Sequence, residues 1–288
     1  MKNKEVQNNA NWDLIIKPKT TFFKLNISEV WNYKDLILLL VKRDITAQYK
    51  QSILGPIWMF MQPLLTTVIY TFTFSVSAKL STDEIPPVLF YIIGQTLWLY
   101  FSECFNKTSN TFISNASIFG KVYFPRLVMP LSVIISNLLR FCIQLILLLC
   151  FYLYYFLQTT QVMPQYVLML LLPLIIIILG LFSLSLGILF TSITTKYRDF
   201  NFLLVFGVQL LMFASCVTFP LSMYPEKAQT ILVYNPIVIC MESFKYILTG
   251  HGFFSLLHIV ISTIITLILL LISVLVFNRT EKSFMDSV

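Results

Sequence analysis

Residues 141–195 read FCIQLILLLCFYLYYFLQTTQVMPQYVLMLLLPLIIIILGLFSLSLGILFTSITT, without one Asp, Glu, Lys or Arg. A bilayer core needs roughly 20 consecutive apolar residues per helix, so this run is long enough for two crossings with a turn between them. The stretches 57–78, 85–102, 200–225 and 252–278 are equally free of charged residues. Across the 288 residues, 57% are hydrophobic and 11% charged, against about 25% charged in a soluble domain. So few charges cannot solvate a folded surface of this size, and the chain reads as an integral membrane protein.

The pattern predicts an all-α polytopic fold with six transmembrane helices near 57–78, 86–106, 128–157, 166–190, 200–219 and 254–277. With both termini in the cytoplasm, the basic residues of 1–50 lie inside, with Lys107, Lys121, Arg126, Lys196, Arg198, Arg279 and Lys282. Only Lys79, Lys227 and Lys245 then fall outside, the asymmetry that sets membrane orientation; Arg140 belongs to neither set. The stretch 228–241 is too short to cross and carries Asn235-Pro236 in its middle. It reads as a broken, re-entrant or interfacial pair of helices. The expected organisation is a cytoplasmic segment 1–54, a transmembrane domain 55–278 with one large outer feature about 220–250, and a cytoplasmic tail 279–288. The polar first 25 or so residues have no apolar centre and do not read as a cleaved signal.

Ahead of the first span, a helix over about 29–44 is expected to lie in the cytoplasmic interface. Val30, Trp31, Tyr33, Leu36, Ile37 and Leu40 supply its membrane side, and Lys34, Asp35, Lys42 and Arg43 its wet side. Gly55-Pro56 then breaks the chain before the first crossing.

Chemistry of the enzymatic kind has little to work with. The five cysteines are scattered, with no metal-ligand spacing. The two histidines, His251 and His258, have no acidic neighbour in sequence, and two histidines alone make a weak metal site. Glu226 and Glu242 are not brought together by anything in the pattern. No phosphate-binding loop is present, since Gly120-Lys121 lacks the glycine-rich turn upstream. A net charge of +7 is explained by topology and anionic lipid, without nucleic acid.

Polar groups within the spans are more informative, because an ionisable group at membrane depth is costly and marks a pore, a partner or a headgroup. Glu103 and Arg140 are such groups, with Gln62, Gln95, Gln144 and Gln209 beside them in the pattern. Aromatic residues near the spans, among them Trp58, Tyr70, Phe74, Tyr91 and Trp98, offer broad contact faces for a sliding sugar polymer or form interfacial belts. The segment 106–130, NKTSNTFISNASIFGKVYFPRLVMP, joins the second and third spans. A short helix starting at Ser114 or Asn115 and ending near Gly120 is expected there, either as a projection toward a soluble partner or as a connector in the headgroups.

At RDITAQYKQSILGPIWMFMQPL (43–64) and SNASIFGKVYFPR (114–126) the chain resembles the membrane subunits of bacterial ABC-2 type exporters of surface polysaccharides. Those proteins export O-antigen, capsular polysaccharide or teichoic acid. Weaker similarity lies in KYRDF (196–200) and YNPIVICMESFKYILTG (234–250), and the whole likeness runs from about Trp12 to Phe277. The resemblance implies a substrate entrance at Trp31, Lys34, Lys42, Arg43 and Tyr49, with the lysines and Arg43 drawing a lipid diphosphate. It implies a channel for which Trp58, Tyr70, Phe74, Tyr91, Trp98, Glu103 and Arg140 are candidates, Glu103 being a partner that Arg140 could find. ATPase coupling would fall to a helix about 114–124, with Ser117, Phe119, Lys121, Tyr123 and Arg126, and to Lys196, Arg198 and Asp199. External gate helices would include Tyr234, Asn235, Pro236 and Glu242. The implied assembly is two copies of this chain with two of a separate ATPase, which binds the ATP and Mg; this chain would bind no cofactor and make no covalent bond. A permease for a small drug or lipid is the main competing expectation.

Overall fold

The computed structural model describes residues 27–50, 55–119, 121–122, 124–160, 162–195, 197 and 199–285, with the side chains of 27–29, 49 and 280–285 outside that description. All regular elements among them are helical. They are α1 (Ile27–Asn32), α2 (Lys34–Tyr49), α3 (Trp58–Tyr70), α4 (Pro87–Ser109), α5 (Thr111–Ser114), α6 (Ala116–Phe119), α7 (Val128–Gln158), α8 (Leu172–Thr194), α9 (Phe200–Phe213), α10 (Glu226–Leu232), α11 (Pro236–Thr249) and α12 (Leu256–Met285). A 3-10 turn, Gly55–Ile57, leads into α3, and a wide π-helical stretch, Thr71–Ser77, continues it.

Among the described residues, five helical stretches are long and apolar enough to cross a membrane: Gly55–Ser77, Pro87–Ser109, Val128–Gln158, Tyr166–Thr194 and Leu256–Arg279. The fifth expected span, 200–219, differs. Its helix α9 has 14 residues, about 21 Å at 1.5 Å per residue, and stops at Phe213. The chain turns there because Cys216 adopts a left-handed φ of 54° and its carbonyl accepts a 2.6 Å hydrogen bond from Lys245 Nζ. Non-helical backbone beside hydrocarbon is tolerated only where protein covers it, and Ser215, Cys216, Val217 and Thr218 are all buried. Between α10 and α11 the chain bends by 98°. Asn235 and Pro236 make that bend: the Asn235 side chain accepts from Ile237 N at 3.0 Å, and Pro236 takes the first helical position, where its missing N–H costs nothing.

Helix α4 is the axis of the bundle, packed by α3, α7, α8, α9 and α11. Its approach to α8 is close because Gly187 has no side chain: a Cβ there would sit 2.5 Å from the Thr108 Cβ. Thr191 and Thr194 of α8 donate to the carbonyls of Thr108 and Ser109 at 2.5 and 2.7 Å, the small-residue and hydroxyl contacts that join helices without a hydrophobic drive. Outward, α3 exposes Leu65, Val68 and Ile69, α9 exposes Leu203, Val205 and Phe206, and α12 exposes Leu257, Val260 and Ile264. Apolar area on that scale belongs against lipid or another chain.

The expected interface helix 29–44 is two helices, broken at Tyr33 and continuing to Tyr49. Ile37 and Leu40, expected to face the membrane, are instead buried with Val41, and α2 packs against α7. The apolar stripe is wide enough to serve both sides, and Trp31, Leu38 and Leu39 are its exposed part.

Candidate functional site

A polar cleft is built where a proline interrupts α3. Pro63 lies inside that helix and, lacking an N–H, leaves the Met59 carbonyl without its helical partner. Gln144 of α7 reaches across and donates Nε2 to that carbonyl at 3.3 Å. This is how membrane helices tolerate proline: a neighbouring side chain supplies the lost bond. Beside it opens a cavity of about 490 Å³ bounded by α3, α4, α7 and the end of α2.

The lining follows helical spacing. Asn137, Arg140 and Gln144 share one face of α7, Gln62 and Thr66 come from α3, and Tyr100 and Glu103 come from α4. Trp58 stands at the α3 rim, half exposed, and Gln48 closes the α2 side. Glu103 is shared unequally: Lys107 Nζ is 2.6 Å from Oε2, and Arg140 Nη1 is 3.8 Å from the same oxygen. Arg140 Nη1 also donates to Asn137 Oδ1 at 3.0 Å. Its side chain is 11% exposed, and its Nε is buried without a hydrogen-bond partner among the described residues.

Of the channel candidates, the structure therefore brings Trp58, Glu103 and Arg140 together. Tyr70, Phe74 and Tyr91 form a separate ring cluster with centroids 5.3 to 6.3 Å apart. Tyr91 and Trp98 are buried inside the bundle, Trp98 against Phe101 at 5.4 Å, and neither lines the cleft. Sequence reasoning missed Gln48, Thr66 and Asn137. For Asn137 a signal existed, since it stands three and seven residues before Arg140 and Gln144.

Trp31, Lys34, Lys42 and Arg43 are exposed along α1 and α2, and Tyr49 ends α2, its side chain undescribed. Arg43 pairs with Asp44 at 2.7 Å and reaches Asn115 Oδ1 at 3.5 Å, tying α2 to the α5–α6 segment. Among the described residues of the expected helix about 114–124, the helical ones are Ser114 at the end of α5 and the single turn α6, with Ser117 exposed on it. Lys121 is exposed past its end, whereas Phe119 is buried and Arg126, 7% exposed, lies over the rings of Phe112 and Phe119 at 5.7 and 5.6 Å. Phe119 and Arg126 thus face the interior of this chain. Tyr123, Lys196 and Arg198 lie outside the described residues, and Asp199 is exposed just ahead of α9.

At the opposite end of the bundle, Tyr234 is exposed and Asn235 and Pro236 cap α11. Glu242 borders an open cavity yet is almost wholly covered: it and Lys245 are each 1% exposed and lie 3.2 Å apart. Lys245 also lies 3.8 Å from the Phe90 ring centroid, and Glu242 Oε2 accepts from Phe253 N at 3.4 Å. An open cavity of about 540 Å³ lies above this pair, lined by Asp83, Glu84, Ser222, Gln229 and His251. Burial pushes the nearby Tyr224 hydroxyl up to about 12, so at neutral pH it is a donor, and it donates to the Phe213 carbonyl.

Comparison with known proteins agrees with this architecture. The chain is 27% identical over 252 residues to the O-antigen export system permease protein RfbA of Klebsiella pneumoniae, covering 88% of this chain and 94% of that one. Against the O-antigen export system permease protein RfbA of Myxococcus xanthus it is 27% identical over 264 residues, 91% of this chain and 98% of that one. The polysialic acid transport protein KpsM of Escherichia coli is 22% identical over 250 residues, 85% of this chain and 93% of that one. Residues 35–249, from α2 to the end of α11, match the ABC-2 type transporter family, and the chain belongs to that family.

Proposed function

We propose that this chain is the transmembrane subunit of an ATP-driven exporter that carries polyprenyl-diphosphate-linked surface polysaccharide, of the O-antigen or capsule kind, across the bacterial inner membrane. The observation that carries the reading is the likeness, along nearly the full length of this chain, to proteins named for O-antigen export and polysialic acid transport. The cleft supports it, since amide side chains beside Trp58 and Tyr100 suit a ligand with many hydroxyls and apolar ring faces.

Two copies of this chain would enclose the path, and two copies of a separate ATPase would bind ATP and Mg. Both termini, α1, α2 and the α5–α6 segment would lie in the cytoplasm, where the excess of Lys and Arg belongs. Lys34, Lys42 and Arg43 would draw the lipid diphosphate at the inner leaflet. Lys121, exposed beside α6, would meet the ATPase. The α10–α11 pair would form the external gate.

Depleting the protein in its host, while lipid-linked polysaccharide is followed on both membrane faces, tests this. Polymer accumulating on the cytoplasmic face while synthesis continues is expected. Normal arrival at the outer face would overturn the polysaccharide assignment and leave a small drug or lipid as the cargo; teichoic acid is the outcome if that is the polymer retained.

A further inference from the structure

We infer that the cleft between α3, α4 and α7 is an anion-selecting saccharide subsite, in which Arg140 holds a carboxylate carried on the sugars of the exported polymer. The inference rests on the polysaccharide reading and narrows it to an acidic polymer. Three features carry it.

The first is an unneutralised charge. Glu103 is the one acidic group lining the cleft among the described residues, and it is engaged at 2.6 Å by Lys107, which leaves Arg140 at the 3.8 Å edge of ion-pair range. Lys107 and Arg140 therefore share one carboxylate, two cations for one anion. A largely buried charge without full pairing is costly, and an intramembrane arginine marks a function when it faces a cavity.

The second is the geometry of donors. Nη1 is held by Asn137, which fixes the guanidinium plane, while Nε is buried with no partner among the described residues. An arginine binds a carboxylate through two parallel bonds along the edge formed by Nε and its neighbouring Nη, and with Nε unpaired that edge is not taken up by the described residues.

The third is the surround. Gln48, Gln62 and Gln144 offer amides for hydroxyls, Trp58 offers an apolar face, and about 490 Å³ is room for a small number of sugar rings. A lone anion would need no such wall. Diphosphate on the lipid carrier is the other source of the same anionic chemistry, and the test separates the two.

Binding to the purified permease in nanodiscs is measured by calorimetry for hexagalacturonate, for maltohexaose of equal length without carboxylates, and for farnesyl diphosphate. Hexagalacturonate is expected to bind about tenfold tighter than maltohexaose, the size of a charge-assisted pair. Arg140→Gln should abolish that preference, and Glu103→Gln should strengthen it by removing the competing carboxylate. If Arg140→Gln does not fold, Glu103→Gln alone decides, and an unchanged preference there overturns the inference. Equal binding of the two oligosaccharides overturns the acidic-sugar subsite and leaves the polysaccharide reading standing. Binding of neither overturns the subsite, and the polysaccharide reading is then decided by the depletion experiment. Arg140 dependence confined to farnesyl diphosphate assigns the site to the carrier and overturns the sugar carboxylate.

Discussion

Glu242 and Lys245 stand one turn apart on α11, each 1% exposed and 3.2 Å from the other, and together they hold two neighbouring segments. Lys245 closes the end of α9 through the Cys216 carbonyl and packs on Phe90 of α4; Glu242 accepts from the backbone at Phe253. Taking two charges out of water is costly, so the pair adds less to stability than its attraction suggests, but removing one partner strands the other. Lys245→Met should therefore destabilise the protein by about 3–5 kcal/mol, read as a lowered melting temperature in detergent. The double variant with Glu242→Leu should recover most of the loss. Equal melting of single and double variants would contradict the pairing. From the sequence both residues belonged to an outer segment, with nothing to pair them. Charge alone could not reveal otherwise, because the burial of Lys245 depends on a carbonyl 29 residues away.

At the scale of elements, the α5–α6 segment separates two basic residues that the sequence pattern groups together. Lys121 is exposed, while Arg126 is buried over Phe112 and Phe119. Lys121→Glu should weaken polymer-stimulated ATP hydrolysis by the complex about tenfold, as a charge reversed at an interface does, and leave melting unchanged. Arg126→Ala should lower the melting temperature through a loss of about 1–3 kcal/mol in ring contacts. If both variants melt like wild type and differ only in coupling, Arg126 acts at the partner surface instead. The spans were legible because their apolar length is a property of the local sequence: four of them, and the last helix, fall within a few residues of the expected spans. The end of α9 was not legible, since a lysine from α11 sets it. The break at Asn235-Pro236 was, because N-capping and proline chemistry are local.

At the scale of the molecule, α4 is an axis buried on nearly all sides, with a polar cleft on one flank and broad apolar faces turned outward. Glu103, Arg140, Gln62 and Gln144 could be picked out in the sequence as polar groups in apolar runs. Their convergence could not, because it depends on which helices adjoin and how each is rotated. Tyr91 and Trp98 were chosen by the same aromatic criterion as Trp58, yet the fold uses them as packing. The account's central claim is that this chain, with its ATPase, moves lipid-linked polysaccharide across a membrane. The most direct measurement reconstitutes both subunits in proteoliposomes, supplies polyprenyl-diphosphate-linked polysaccharide and ATP on the ATPase-bearing face, and follows polymer protected in the lumen. Protected polymer that appears only with ATP and both subunits is the predicted result. ATP hydrolysis by the assembled complex with no polymer reaching the lumen would contradict it.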